Sequence, residues 1–207
     1  MKASKPIKNR LIIGLTGGVA TGKSAIAELW SQFDNVRVID ADEVARAVTA
    51  RGTEVFARLE TLFSAAFSGG TLNRRTLREI VFNDAEALKK LNALTHPAIF
   101  AEIKKRIEDC PEAIFIIEAP LLFEAGFDKI CNITVCADCS RPVQIRRLII
   151  RDGVSSEAAE KMIAAQMPQE KKVTSCNYIL NTEIPLKELR VAAHKLLDRI
   201  IEAWEKS

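Results

Sequence analysis

The sequence predicts an α/β fold, an open parallel sheet of five strands with helices on both faces. Five short runs, RLIIGL, NVRVID, AIFIIEA, NITVCA and NYILN, are apolar almost without interruption, which is the pattern of strands buried on both faces. Helical patterns separate these runs, so each strand re-enters the sheet by a crossover and runs parallel to its neighbours. A glycine-rich stretch stands between the first strand and the first helix, at the edge where open α/β sheets bind ligands.

The basic lead MKASKPIKNR is read as a tail ahead of a buried strand. The apolar run after it is short and breaks into glycines, without the small-residue cleavage site of a secretory signal. Behind the first strand, GLTGGVATGKS gives Gly17, then four residues, then Gly22, Lys23 and Ser24, the spacing of a phosphate loop. Glycine lets successive N–H groups turn inward around phosphate oxygens, and the start of the following helix adds partial positive charge. Gly17, Gly18, Val19, Ala20, Thr21 and Gly22 are therefore expected to wrap ATP phosphates, with Lys23, Ser24 and Ala25 opening the helix. In such a loop Lys23 bridges the β- and γ-phosphates and the Ser24 hydroxyl ligates Mg2+. Ile26, Leu29, Trp30 and Phe33 fall on one face of that helix.

The second strand ends near Asp40, and the third begins near Ala113. The roughly seventy residues between them exceed what a crossover needs. Helical patterns in TEVFARLETLF and PAIFAEIKKRIED, with a turn at SGGTLNRR, make this span a helical insert. A second, polar excursion, SSEAAEKMIAAQM, ends at Pro168 and has the weak apolar face of a mobile cover. The last helix, from Leu186, repeats its apolar face through Leu189, Ala193, Leu196, Leu197, Ile200 and Trp204. The expected organisation is one P-loop NTPase-type domain. Its core spans about 10–44, 112–150 and 175–207, a helical acceptor insert about 45–111, and a lid about 151–174.

Composition narrows the function. A length of 207 residues, 48% hydrophobic and 28% charged, fits one packed domain of ordinary size. A net charge of +3 falls short of the basic balance of a nucleic-acid binder, and no run is apolar for long enough to span a bilayer. No nucleic-acid or membrane partner is expected, and oligomeric state has no signature. Five cysteines without a signal sequence point to the cytoplasm. CADC has the spacing of half a zinc site, but neither His96 nor His194 lies at partner spacing, so Cys131, Cys136 and Cys139 are read as packing residues.

A phosphate loop by itself serves kinases, GTPases and motors alike. The chain has no NKxD stretch for guanine and no motor's extra bulk. A small kinase needs an acceptor site and a cover that excludes water, and the insert and the polar excursion supply one of each.

GLTGGVATGKS, VIDADEVAR, LNRRTLREIVF, THPAI, PLLFE and QIRRLIIRDG followed by IAAQMP occur in the order and spacing of the dephospho-CoA kinases, which the chain resembles from about Leu11 to Tyr178. The resemblance implies transfer of the ATP γ-phosphate to the ribose 3′-hydroxyl of dephospho-CoA on a P-loop core with a helical acceptor domain and a lid. Asp42, in the DAD stretch, resembles the family's catalytic base; at the sheet's carboxyl edge a carboxylate can take the proton of an incoming hydroxyl. Asp40 serves the metal's water shell or the local turn, and either acid can instead cap the helix of EVARAV. Arg147 and Arg151, four apart on one helix face, read from the residues alone as a solvated basic stripe; the resemblance assigns them to the transferring phosphoryl group. Pro120, Leu121 and Leu122, with Phe123 and Glu124, resemble the acceptor-side loop, and His96 resembles the insert's His-Pro motif that shapes the acceptor pocket. Glu118 either orients water on Mg2+ or faces solvent. Arg74, with Arg75 and Arg78, either meets the acceptor's pyrophosphate or opens a solvated helix.

The chain departs from the family pattern in three places. Lys172 matches, but Cys176 and Asn177 stand where the family has Ala-Asp; Met162 stands where a lid arginine precedes IAAQ; and the Asn expected after the last strand is displaced, with Asn181 followed by Thr182. A kinase for a nucleoside or sugar, or a non-catalytic ATP-binding regulator, remains as an alternative reading.

Overall fold

The computed structural model describes residues 10–206, and the tail read at the N-terminus lies outside them. Along the chain come β1 (Leu11–Thr16), α1 (Lys23–Trp30) and β2 (Val36–Asp40). Then follow α2 (Ala41–Val48), α3 (Glu54–Leu62), the two-residue strands β3 (Phe67–Ser68) and β4 (Thr71–Leu72), α4 (Arg74–Asn83) and α5 (Ala85–Asp109). The remainder comprises β5 (Ile114–Glu118), β6 (Ile133–Asp138), α6 (Arg141–Asp152), α7 (Ser156–Ala164), α8 (Gln169–Ser175), β7 (Tyr178–Asn181) and α9 (Leu186–Glu205). The chain divides into two compact units, one of residues 10–40 with 111–206 and one of residues 41–110.

In the first unit five strands pair in the order β2-β5-β1-β6-β7, all parallel. The central strand β1 is buried along nearly its whole length, which explains its unbroken apolar run. Leu11, Ile13 and Leu15 share one face and join Ile26, Leu29 and Trp30 of α1 and Leu189, Ala193, Leu197 and Ile200 of α9 in a single cluster. The Trp30 indole N–H, fully buried, donates to the Ala193 carbonyl at 2.9 Å. The opposite face carries Gly14, where a side chain would collide with Leu122 and the Cys131 sulfur at 2.8 Å. Cys136 lies level with Thr16 on that same face, and α8 covers it. None of the five cysteines is in a disulfide, and burial with Asp128 nearby pushes the Cys131 thiol up to about 12.

The second unit has its own cluster, built on Leu59, Phe63, Leu77, Ala87 and Leu94. Helices α3, α4 and α5 begin on side-chain caps: Thr53 accepts from the Phe56 N–H, Asn73 from Arg75 and Thr76, and Asp84 from Glu86 and Ala87. The helix expected to start at Pro97 starts twelve residues earlier, at Ala85, and passes through the proline. The Asp84 cap fixes the true start, and buried Leu94 and Ile99 on either side hold the helix across the missing hydrogen bond.

The polar excursion SSEAAEKMIAAQM forms α7, and α8 follows the Pro168 that ends it. Gly153, in the left-handed conformation (φ 66°), ends α6, Ser155 caps α7, and Pro168 precedes α8. No helix among the described residues is long and apolar enough to cross a membrane.

Candidate active site

β1 delivers the chain to Gly17 at the carboxyl edge of the sheet. Gly17 has φ +139°, and a Cβ there would lie 2.4 Å from the Ala137 carbonyl oxygen, so only glycine fits. The turn then holds its shape through side chains that arrive from far along the chain. The Gly18 N–H donates to Gln169 Oε1 at 2.8 Å and the Val19 N–H to Gln166 Oε1 at 2.8 Å. Gln144 Nε2 donates to the Val19 carbonyl at 2.9 Å, Arg147 Nη1 to the Ala20 carbonyl at 3.3 Å, and the Thr182 hydroxyl to the Thr21 carbonyl. Every peptide group from Gly17 to Gly22 is thus bonded on at least one side, which offsets the strain of Ala20, a non-glycine residue at φ +59°. Lys23 Nζ rests on the Gly18 carbonyl at 2.9 Å.

Beyond Gly22 the first bond of α1 runs from the Ile26 N–H to the Gly22 carbonyl, so the N–H groups of Ser24 and Ala25 have no carbonyl one turn back in the helix. They and the helix dipole form an anion site. A cavity of about 340 Å3 opens there, lined by Ala20, Gly22, Lys23, Ser24, Arg147 and Arg151 among others. Arg147 spans its wall, with Nη1 on Thr182 Oγ1 at 3.1 Å and Nη2 on the Thr182 carbonyl at 2.6 Å. Arg151 forms a two-pronged pair with Asp152, both bonds at 2.8 Å. On the other side the Ser24 hydroxyl donates to Glu118 Oε1 at 2.7 Å, and strand register sets Asp40 level with Glu118.

The loop after β5 is fixed from behind. Leu122 is fully buried, whereas Leu121 is 46% exposed. Lys172 Nζ, buried, donates to Glu124 Oε1 at 2.7 Å, to Glu124 Oε2 at 3.0 Å and to the Pro120 carbonyl at 2.6 Å. The Met167 N–H adds a bond to Glu124 Oε1 at 3.0 Å.

Three of the expected residues lie in the second unit. Asp42 stands exposed in the first turn of α2, inside the helix; the residue just before that helix is Asp40. Arg74, first in α4, donates to the Thr49 hydroxyl at 2.9 Å and to the Arg46 carbonyl at 3.4 Å, tying α4 to the end of α2. His96 is half-buried on α5, and desolvation lowers its pKa below the ordinary 6.5. Because the unfolded chain takes up the proton first, stability is expected to fall as pH drops through about 6.5 and below. Urea midpoints above and below that pH should therefore separate more for the wild type than for His96→Gln.

The family model for dephospho-CoA kinase matches residues 11–188 of the chain. The chain belongs to the dephospho-CoA kinase family. A dephospho-CoA kinase of Dichelobacter nodosus is 34% identical over 193 residues, which cover 92% of this chain and 98% of that relative. The crystal structure of TT1252 from Thermus thermophilus superposes with a TM-score of 0.84 at 31% identity, covering 93% of this chain and 98% of that one. A dephospho-CoA kinase from Campylobacter jejuni does so with a TM-score of 0.67 at 26% identity over the same shares. Membership in the family carries with it a nucleotide-binding phosphotransferase core.

Two departures from the family pattern have local structural explanations. Thr182 holds the Thr21 carbonyl, and Asn177 Oδ1 accepts the Thr134 N–H at 2.8 Å, fastening the start of β7 to β6. The glutamine clamps on the loop, by contrast, were not among the candidate residues. The run QMPQ, with a carboxamide on either side of Met-Pro, holds Gln166 and Gln169, and Gln144 stands at the head of QIRR.

Proposed function

We propose that this protein uses ATP to phosphorylate the ribose 3′-hydroxyl of dephospho-CoA, giving CoA and ADP, the last step of CoA biosynthesis. One observation carries the reading: the braced phosphate loop, with Lys23 and Ser24 at the helix start, in a chain of this family. The N–H groups of Gly22, Lys23, Ser24 and Ala25 would receive phosphate oxygens. Lys23 would swing from the Gly18 carbonyl to the β- and γ-phosphates. Arg147 and Arg151 at the cavity wall would meet charge developing on the transferred group. Asp42 would accept the proton of the ribose hydroxyl and align its oxygen with phosphorus.

For the acceptor, Pro120 and exposed Leu121 would offer surface while buried Leu122 pins their loop. His96 would shape the pocket, and Arg74 would hold the insert's helices that carry it. The Ser24 hydroxyl, Glu118 and Asp40 are hard oxygen donors of the kind Mg2+ prefers. Bound there with ATP, the ion would shield charge between the β- and γ-phosphates. Glu118→Gln is expected to raise the Mg2+ concentration for half-maximal rate by about 10- to 100-fold, read from a Mg2+ titration at saturating ATP. The reaction is assigned to the cytoplasm.

The test is to incubate the purified protein with Mg-ATP and, separately, dephospho-CoA, a nucleoside and a sugar. Formation of CoA in the dephospho-CoA tube alone is the expected result. Turnover of the nucleoside or sugar in its place assigns another acceptor, and ADP or ATP binding without any turnover leaves a regulator.

A further inference from the structure

We infer that Gln166 and Gln169 are positioning residues for the donor site: carried by the segment 166–172, their carboxamides set the planes of the first peptide groups of the phosphate loop, and with them the resting place of Lys23. This rests on the loop being the ATP site. It adds that the loop's shape is set from outside the motif.

The peptide group joining Gly18 to Val19 is held at both ends. Its N–H donates to Gln166 Oε1 at 2.8 Å, while its carbonyl oxygen receives Lys23 Nζ and the Thr21 hydroxyl, both at 2.9 Å. Turning that plane would move the oxygen on which the lysine rests. The preceding peptide group is held by its N–H on Gln169 Oε1 at 2.8 Å, and the same carboxamide donates through Nε2 to Asp138 Oδ1 at 2.9 Å and the Ala137 carbonyl at 3.0 Å. An amide both accepts and donates without charge at any pH, whereas an ionised carboxylate only accepts. A carboxylate at 169 would keep the acceptor and set a like charge against Asp138. Space at Gly18 points the same way. A Cβ there would lie 2.8 Å from Gln144 Nε2, 3.3 Å from Gln169 Oε1 and 3.7 Å from Gln166 Oε1, so three carboxamides converge on one glycine.

The segment is itself fixed at its far end. Buried Lys172 on Glu124 and Pro120, and the Met167 N–H on Glu124, lock it to the loop after β5. Segment 166–172 is therefore a strap joining two loops of the same sheet edge. The charged groups facing Gln169 are Asp138 of β6, Arg141 of α6 and Glu170 of α8, all lining one cavity of about 740 Å3. Cys136 of β6 touches it through sulfur at 3.4 Å.

Gln169→Glu tests the inference, with binding of a fluorescent ADP analogue and steady-state kinetics as readouts. Near neutral pH the variant should lose affinity for ADP and gain in KM for ATP by about tenfold, with kcat at saturating ATP much less affected, the loss expected of one buried hydrogen bond. The ratio of variant to wild-type affinity should close as pH falls towards about 6, because a like charge nearby raises the new carboxyl's pKa and the protonated acid regains a donor. Asp138→Asn added to Gln169→Glu should restore binding, since the new amide can donate to the glutamate; alone it should shift affinity less than Gln169→Glu.

ADP affinity within twofold of wild type at neutral pH, or a double variant no better than Gln169→Glu, overturns the inference. Should thermal melting show Gln169→Glu unfolded, Gln166→Ala takes its place: a raised KM with kcat nearly kept supports the strap, and unchanged affinity removes it. A wild-type protein that binds no ADP fails earlier, at the donor site itself, and takes the proposed function with it.

Discussion

Asp42→Asn is expected to lower kcat by about two to four orders of magnitude, the range over which a positioned general base acts. The amide is the same size, can still accept a hydrogen bond from the ribose hydroxyl, and cannot take its proton. Affinity for ADP should stay within about twofold, because the groups proposed to hold the nucleotide are main-chain amides and Lys23 rather than this side chain. Steady-state rates with dephospho-CoA, set beside ADP binding to the same preparation, separate the two effects. A variant turning over at near wild-type rate would remove Asp42 from the chemistry, and one that lost ADP binding would give it a different job. Loss of kcat with ADP binding kept is the signature of an interaction made only as the phosphoryl group moves.

The second large effect falls on stability. Lys172→Met should destabilise the protein by about 3 kcal/mol or more, the cost of stripping one partner from a buried ion pair. Lys172 is completely inaccessible and serves three acceptor atoms, so its loss leaves Glu124 charged without its cation and the Pro120 carbonyl with only the long bond from the Thr16 hydroxyl at 3.4 Å. For a chain of this length that corresponds to a fall in Tm of roughly 6–12 °C. Glu124→Gln placed on top of Lys172→Met should recover part of the loss, because it removes the stranded charge. A Tm unchanged in Lys172→Met would mean that water reaches the pair and solvates what remains. Surface pairs such as Arg75 with Glu79, both largely exposed, should by comparison be worth a few tenths of a kcal/mol.

The sheet was legible because its inner strands are buried on both faces and so write themselves as apolar runs; AIFIIEA became Ile114–Glu118, whereas NVRVID became the edge strand Val36–Asp40, which leaves Arg37 exposed. The phosphate loop was legible because its backbone demands glycine where a side chain would strike the Ala137 carbonyl. α5 was read only in its second half, since proline is an ordinary start signal and nothing local shows that packing on both sides will carry a helix through it. The clamps on the loop left almost no trace. Gln144 and Gln169 act on Val19 and Gly18 across 125 and 151 residues of chain, and a carboxamide has neither the periodicity of a core residue nor the fixed spacing of a motif. Where Asp42 stands could be read from its distance past the second strand, whereas Arg74's bond to Thr49 depends on how α4 lies against α2.

The strand order β2-β5-β1-β6-β7 sets the sequence of events during synthesis. The earliest encoded of these five strands is the middle one, and both of its neighbours are encoded about a hundred residues later. A nascent chain halted after Cys110 holds the complete apolar cluster of the second unit and none of the partners of the first strand. The inserted segment can therefore fold before the body that carries it. The phosphate loop, though translated early, waits for Thr182 before its last brace is in place.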